Sequence, residues 1–205
     1  MFYTGAGTSG RLGVLDASEV PPTFGESPER VQGIIAGGVT ALYKSVEGAE
    51  DDPVQGALAI QQRAVTPNDV VCGITASGRT PFVLGSLQEA RKIGAKTILI
   101  TCNPMRNREE RWDVEIDLPT GPELITGSTR MKAGTATKVT LNILTTCSMI
   151  KLGRTRGSWM VDLKPANTKM RYRMIRLVSH LKNVSLDEAE KMLESAGWNI
   201  RTALS

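Results

Sequence analysis

Two short stretches carry the same chemistry-bearing pattern, "TGAGTSGR" (Thr4–Arg11) and "TASGRTP" (Thr75–Pro81). Each follows an apolar run and precedes an amphipathic one, which puts Ser-Gly-Arg where a strand turns into a helix. Backbone N–H groups and the hydroxyls of Ser9, Ser77 and Thr80 then converge at the positive end of a helix dipole, a composition suited to a phosphate. The bland reading is that these turns merely connect elements; two alike in one chain make it less attractive. Gly5-x-Gly7-x-x-Gly10 also matches a dinucleotide loop, but the run "IIAGG" that would end the next strand carries no acid to hold a ribose. No Gly-Lys-Ser/Thr is present, so there is no Walker loop. A small phosphorylated metabolite fits best. A third cluster, "ITGSTRMKAGTATK" (Ile125–Lys138), gathers Thr126, Ser128, Thr129, Arg130 and Lys132 at a helix start, again an anion-binding composition.

Three glutamates stand out for acid–base work. Glu19 ends "DASE" just before Pro21-Pro22, and the prolines predict that the helix stops near it. Glu47 and Glu50 in "SVEGAEDD" are three residues apart and would share a helix face. From spacing alone, solvated surface is the better reading of that pair.

Bulk properties narrow the classes. The chain has 205 residues, 40% apolar and 22% charged, an ordinary globular composition large enough for a real core. The net charge of +4 is scattered. Its densest cluster, "KMRYRMIR" (Lys169–Arg176), reads as a solvated helix face rather than a nucleic-acid stripe. Cys72, Cys102 and Cys147 are too few and too far apart for a disulfide framework or a zinc site, and they suit a reducing cytoplasm. The single His180 builds no His-rich metal site, and no His lies upstream to serve a hydrolase triad. No apolar run reaches the length of a membrane span, and the start lacks the pattern of a signal peptide.

The elements that must position these groups alternate. Strands are expected at "MFYT", Val31–Gly37, Asp69–Ala76, Lys96–Cys102 and Asp113–Leu118. Helices are expected from Ser9 to about Ala17, near Thr40–Gly48, near Val54–Ala64 and over Pro81–Ile93. Near-continuous β-branched runs separated by helices predict a parallel sheet covered on both faces. A long helix from about Met131 to Leu152, with apolar Val139, Leu141, Ile143, Leu144, Met149 and Ile150, reads as buried. After "TRGSWMVDLKPANTK" the remainder reads as all-helical, with a capping box from Ser185 to Glu188 and a stop at Gly197. The expected division is 1–155 for the α/β domain and 156–205 for a small helical subdomain. The helical piece reads either as a ubiquitin-associated-type module or, more simply, as a subdomain packed on the sheet domain.

Taken together, "GAGTSGRLGVLDASEVPPTFG", "VEGAED", "ASGRTP" and "ELITGSTRMKAGTATK" resemble the N-acetylmuramic acid 6-phosphate etherases of the sugar isomerase (SIS) phosphosugar-binding superfamily. Four long motifs in order are specific, although the non-enzymatic glucokinase regulatory protein shares several of them. The resemblance implies a three-layer α/β/α sandwich with a mainly parallel sheet, a homodimer with sites near the subunit interface, and a cytoplasmic phosphosugar enzyme of cell-wall recycling. It implies no metal and no organic cofactor. The implied reaction removes D-lactate from carbon 3 of N-acetylmuramic acid 6-phosphate by elimination, then adds water. On that resemblance Glu19 is the proton donor to the leaving oxygen and Glu50 the base at carbon 2. Thr8 and Glu47 lie close to the sugar, and Ser9, Ser77, Gly78 and Thr80 hold the phosphate, with Arg79 and Lys132 as further candidates.

A continuous helix from Ser9 to Glu19 would rise about 15 Å, so either that helix breaks early or Glu19 serves the neighbouring subunit. The family carries more chain at both ends, which makes this span a fragment or a late-start reading frame, expected to bind phosphosugar with reduced or absent turnover. The rival readings are a phosphosugar sensor, which needs no acid–base pair, and a phosphosugar isomerase, which would release no lactate.

Overall fold

The computed structural model describes residues 1–106 and 110–205. They form two compact units, Met1–Ser18 with Pro28–Ile143, and Glu19–Ser27 with Leu144–Ser205.

The first unit is built on five parallel strands, β1 (Phe2–Gly5), β2 (Gln32–Ile35), β3 (Val70–Ile74), β4 (Lys96–Thr101) and β5 (Val114–Asp117), in the order β2-β1-β3-β4-β5. Side chains alternate across the sheet, as the period of two requires. Phe2, Val71 and Leu99 join Ile60, Phe82, Val83 and Leu87 in a core formed with helices α2 (Pro53–Gln62) and α3 (Pro81–Ile93). Tyr3 and Ile74 turn the other way, to the face covered by helix α1 (Gly7–Phe24), where a Cβ on Gly13 would lie 2.9 Å from the Tyr3 Cβ. Helix α4 (Lys132–Lys151) covers the same face, since Asp16 on α1 accepts from Tyr3 Oη at 3.0 Å and from Asn142 Nδ2 at 2.7 Å. The expected three-layer arrangement is therefore present. Its strand order reverses direction between β1 and β3, and open α/β sheets bind ligands at the carboxyl ends of strands at such a point.

Three expectations need correction. Pro21 and Pro22 do not stop α1 near Glu19; both lie inside it, and the helix closes when Gly25 N donates to Pro21 O at 2.9 Å. Burial of Val20 and Phe24 on either side of the prolines holds the helical path despite two missing donors. An early break in α1 is thereby excluded. The helix expected near Thr40–Gly48 is only a 3-10 turn, Val39–Leu42, followed by irregular chain up to the left-handed Gly48 (φ 74°), after which a second 3-10 turn, Ala49–Asp51, begins. Finally, α4 is not buried all round. Leu141 and Met149 are, whereas Val139, Ile143 and Ile150 stand about half exposed, at 47%, 57% and 50%.

In the second unit a hairpin of β6 (Thr155–Arg156) and β7 (Trp159–Met160) precedes helices α5 (Thr168–Lys182), α6 (Leu186–Ser195) and α7 (Ile200–Leu204). Leu163, Met174, Val178, Leu193 and Ile200 form its core. The Ser185–Glu188 capping box is formed, and Arg201 makes a two-pronged pair with Asp162, at 2.5 and 2.7 Å. Among the described residues, no helix is long and apolar enough to cross a membrane.

Candidate functional site

Strand pairing makes the two Ser-Gly-Arg turns neighbours. Gly5 is in register with Ile74, so the turns leave the carboxyl ends of adjacent strands. The first is tight. A Cβ on Gly10 would lie 2.6 Å from Ile35 Cγ1 and 2.7 Å from Gly5 O, so glycine lets α1 start hard against the sheet. Gly7, at φ 52°, turns the chain into the helix. Thr8 and Ser9 are part-exposed in the first helical turn, where N–H groups have no partner within the helix.

The second turn is organised by a residue that the sequence reading did not single out. Buried Thr75 bonds through its hydroxyl to Thr80 (2.8 Å) and Ser77 (3.3 Å) and accepts from Gly78 N at 3.2 Å. Ser77 Oγ also accepts from Arg79 N at 3.2 Å, and Asn103 Nδ2 donates to Ser77 O at 3.1 Å. Ser77, Gly78 and Thr80 thus form one hydroxyl-rich knot. Gly78, at φ 73°, packs over Arg106, where an added Cβ would lie 2.6 Å from the arginine Cδ. Arg106 is itself buried and paired with Glu115 (2.5 Å) and Asp117, which fixes the floor beneath the turn. Arg79 lines a hollow of about 510 Å³ with Arg106 and Trp112.

Glu47 and Glu50 come together with the first turn. A hollow of about 140 Å³ is lined by both glutamates, by Ala6 and Gly7, and by Arg11 and Ser45. Ser45 Oγ donates to Glu47 Oε1 at 2.5 Å, and Arg11 Nε donates to Leu42 O at 3.1 Å, which ties the loop carrying both glutamates to α1. Arg11 is a further site candidate; its place in the repeated Ser-Gly-Arg was the available signal. The two glutamates do not share an α-helical face as their spacing suggested: Glu50 sits in a 3-10 turn, and Glu47 precedes the left-handed Gly48. Glu19 is exposed on α1, in the part of the helix that groups with the second unit.

The start of α4 is already served by the chain itself. The Glu123 carboxylate accepts from Ala133 N and Lys132 N, both at 3.0 Å, and these donors hold its carboxyl below the usual glutamate range. Lys132 Nζ donates to Pro122 O at 2.9 Å. The anion at this helix start is therefore Glu123, which opens the motif "ELITGSTRMKAGTATK" but had no role assigned to it. Gly134 keeps the helix start close to the first turn, since a Cβ there would lie 3.4 Å from Thr8 Cγ2. Among the described residues, no group of three or more His, Cys, Asp or Glu could hold a metal ion.

With that geometry in hand, three kinds of known protein match the chain. The glucokinase regulatory protein N-terminal SIS domain family matches residues 1–91, and the SIS domain family matches residues 53–147. A Gloeobacter violaceus N-acetylmuramic acid 6-phosphate etherase is 54% identical over 204 residues, covering 100% of this chain and 67% of the relative. The Clostridium acetobutylicum etherase is 52% identical over 204 residues, covering 100% of this chain and 68% of its own length. The chain thus spans about two thirds of the curated relatives it matches. Among solved structures, the c3406 protein of E. coli CFT073, solved in complex with a ligand, aligns with TM-score 0.54 at 19% identity, covering 76% of this chain and 72% of that one. A Bacteroides fragilis protein assigned as a phosphosugar isomerase involved in capsule formation aligns with TM-score 0.54 at 20% identity, covering 80% and 76%. At that identity these two speak to fold alone.

Proposed function

Since the chain belongs to the N-acetylmuramic acid 6-phosphate etherases, carbon–oxygen lyases of the SIS superfamily, we propose how its own residues carry out that reaction. The phosphate of N-acetylmuramic acid 6-phosphate is held by Ser9 at the start of α1 and by the knot of Ser77, Gly78 and Thr80. Two helix starts and several fixed hydroxyls there meet a dianion with donors already oriented. The sugar extends toward Thr8, Glu47 and Glu50.

With the ring open, the aldehyde at carbon 1 acidifies the proton on carbon 2. Glu50 takes that proton, and the carbon 3–oxygen bond breaks as the carbon 2–carbon 3 double bond forms. Glu19 gives a proton to the departing D-lactate oxygen. Water then adds at carbon 3 while carbon 2 regains a proton, giving N-acetylglucosamine 6-phosphate. Glu47, fixed by Ser45, orients the sugar, and Arg11 holds the Glu47–Glu50 loop against α1. Arg79 and Lys132 act at the margin, because Lys132 is engaged with Pro122 O. Because α1 is unbroken across the ten residues from Ser9 to Glu19, a rise of about 15 Å, Glu19 is assigned to the neighbouring subunit's site in a homodimer. The division at 155/156, a cytoplasmic setting and a role in cell-wall recycling complete the proposal.

The observation that carries this reading is the hollow joining Glu47 and Glu50 to the first Ser-Gly-Arg turn. The test is D-lactate release on incubation with N-acetylmuramic acid 6-phosphate, run for the wild type, Glu50→Gln, Glu19→Gln and a mixture of the two variants. Release by the wild type at a reduced rate, loss in each variant and recovery in the mixture are expected. Full activity of Glu50→Gln, or D-lactate release that neither variant lowers, would refute the assignment.

A further inference from the structure

The basic cluster of α5 is exposed, as its sequence suggests, and part of it lines a hollow. Lys169, Arg173 and Arg176 fall at i, i+4 and i+7 on one side of the helix, and all three line a hollow of about 590 Å³ within the second unit. None of them has an ion-pair or hydrogen-bond partner among the described residues, and no acidic residue lines the hollow. By contrast Arg171, off that side, is stacked over Trp198 at 4.7 Å.

The floor of the hollow is apolar, formed by Met160 and Leu163 from the hairpin region and by Leu177 from α5. Its wall is aromatic: Trp159 and His180 stand with ring centroids 5.1 Å apart, and Tyr172 is 54% exposed beside them. Three free cations along one edge, an apolar floor and exposed ring faces are what a compact polyanion with a planar ring requires. Arginine meets phosphate oxygens with paired donors, and aromatic faces accept a ring by stacking. The cations rise about 10 Å from Lys169 to Arg176, so more than one phosphate can be engaged. The volume lies within the range of small-molecule sites.

We propose that this hollow binds a nucleoside diphosphate or a close analogue, its phosphates on Lys169, Arg173 and Arg176 and its base against Trp159 and Tyr172. None of its lining residues is among those assigned to the phosphosugar.

The test is calorimetric titration of the 205-residue chain with ADP, adenosine, pyrophosphate and single-stranded oligonucleotides of increasing length. ADP is expected to bind at one site, with adenosine and pyrophosphate each weaker by about tenfold or more, since each lacks half of the contacts. Arg173→Ala with Arg176→Ala should weaken ADP binding by at least about tenfold. Both side chains are exposed, so an unchanged circular dichroism spectrum and melting temperature should accompany the loss. Tyr172→Leu should weaken ADP binding and leave pyrophosphate binding unaltered. Saturating N-acetylglucosamine 6-phosphate should not displace ADP. The proposal is overturned by absence of ADP binding at millimolar concentration, by pyrophosphate binding as tightly as ADP, or by indifference to the double variant. Displacement by the sugar phosphate, or affinity that climbs with oligonucleotide length, would equally overturn it.

Discussion

Two carboxylates show how surroundings decide what an acid does. Asp113 accepts from Thr97 Oγ1 (2.8 Å), Thr97 N (2.9 Å) and Lys96 Nζ (3.0 Å), which hold its carboxyl far below the usual aspartate range. A carboxyl depressed in the folded state stabilises above its unfolded pKa, about 3.9, and that contribution fades as pH falls further. Asp113→Asn should therefore lower urea stability at pH 7, and the gap from wild type should narrow below about pH 4. A constant gap across pH would contradict the assignment. Glu50, by contrast, is exposed and lines a hollow, where it is proposed to act as the base. Glu50→Gln should cut D-lactate release by about 10²- to 10⁴-fold, the usual weight of a general base, while leaving the melting temperature unchanged. Arg106 is a structural charge. With its side chain only 3% exposed between the part-buried Glu115 and Asp117, Arg106→Ala removes a buried cation from both pairs and should lower the midpoint of chemical denaturation; an unchanged midpoint would contradict that role.

At the scale of elements, close approach competes with propensity. Gly56 in α2 faces the Phe82 carbonyl of α3, and an added Cβ would strike it. Alanine favours helix over glycine by about 1 kcal/mol, but overpacking against a backbone atom costs about 1–3 kcal/mol, so Gly56→Ala should destabilise on balance; a raised melting temperature would contradict that close crossing.

The strands, α3 and the capping box were legible in the sequence because period, β-branching and caps are local signals. Pro21-Pro22 misled because the burial of Val20 and Phe24, which overrides the missing donors, is not local. Thr75 and Glu123 carried no role in the sequence for different reasons. Thr75 acts through the geometry of its own turn, which residue types alone do not show, and Glu123 bonds Ala133, ten positions on at the start of α4. The α4 pattern gave apolar residues correctly but not which of them lie exposed.

At the scale of the whole molecule, those exposed residues fit the proposed homodimer. Val139 and Ile143 are one helical turn apart and largely uncovered, an apolar stripe that a second copy would bury. Val139→Glu with Ile143→Glu should shift sedimentation toward the monomer and, with Glu19 assigned across the interface, lower D-lactate release as well. An unchanged sedimentation coefficient would remove this face from the interface. The most direct measurement is a crystal structure of the chain with N-acetylglucosamine 6-phosphate. The account predicts phosphate oxygens within hydrogen-bonding distance of Ser9 and Ser77, and carbon 2 facing the Glu50 carboxylate. A phosphate seated away from both serines, or a sugar ring turned from Glu50, would contradict it.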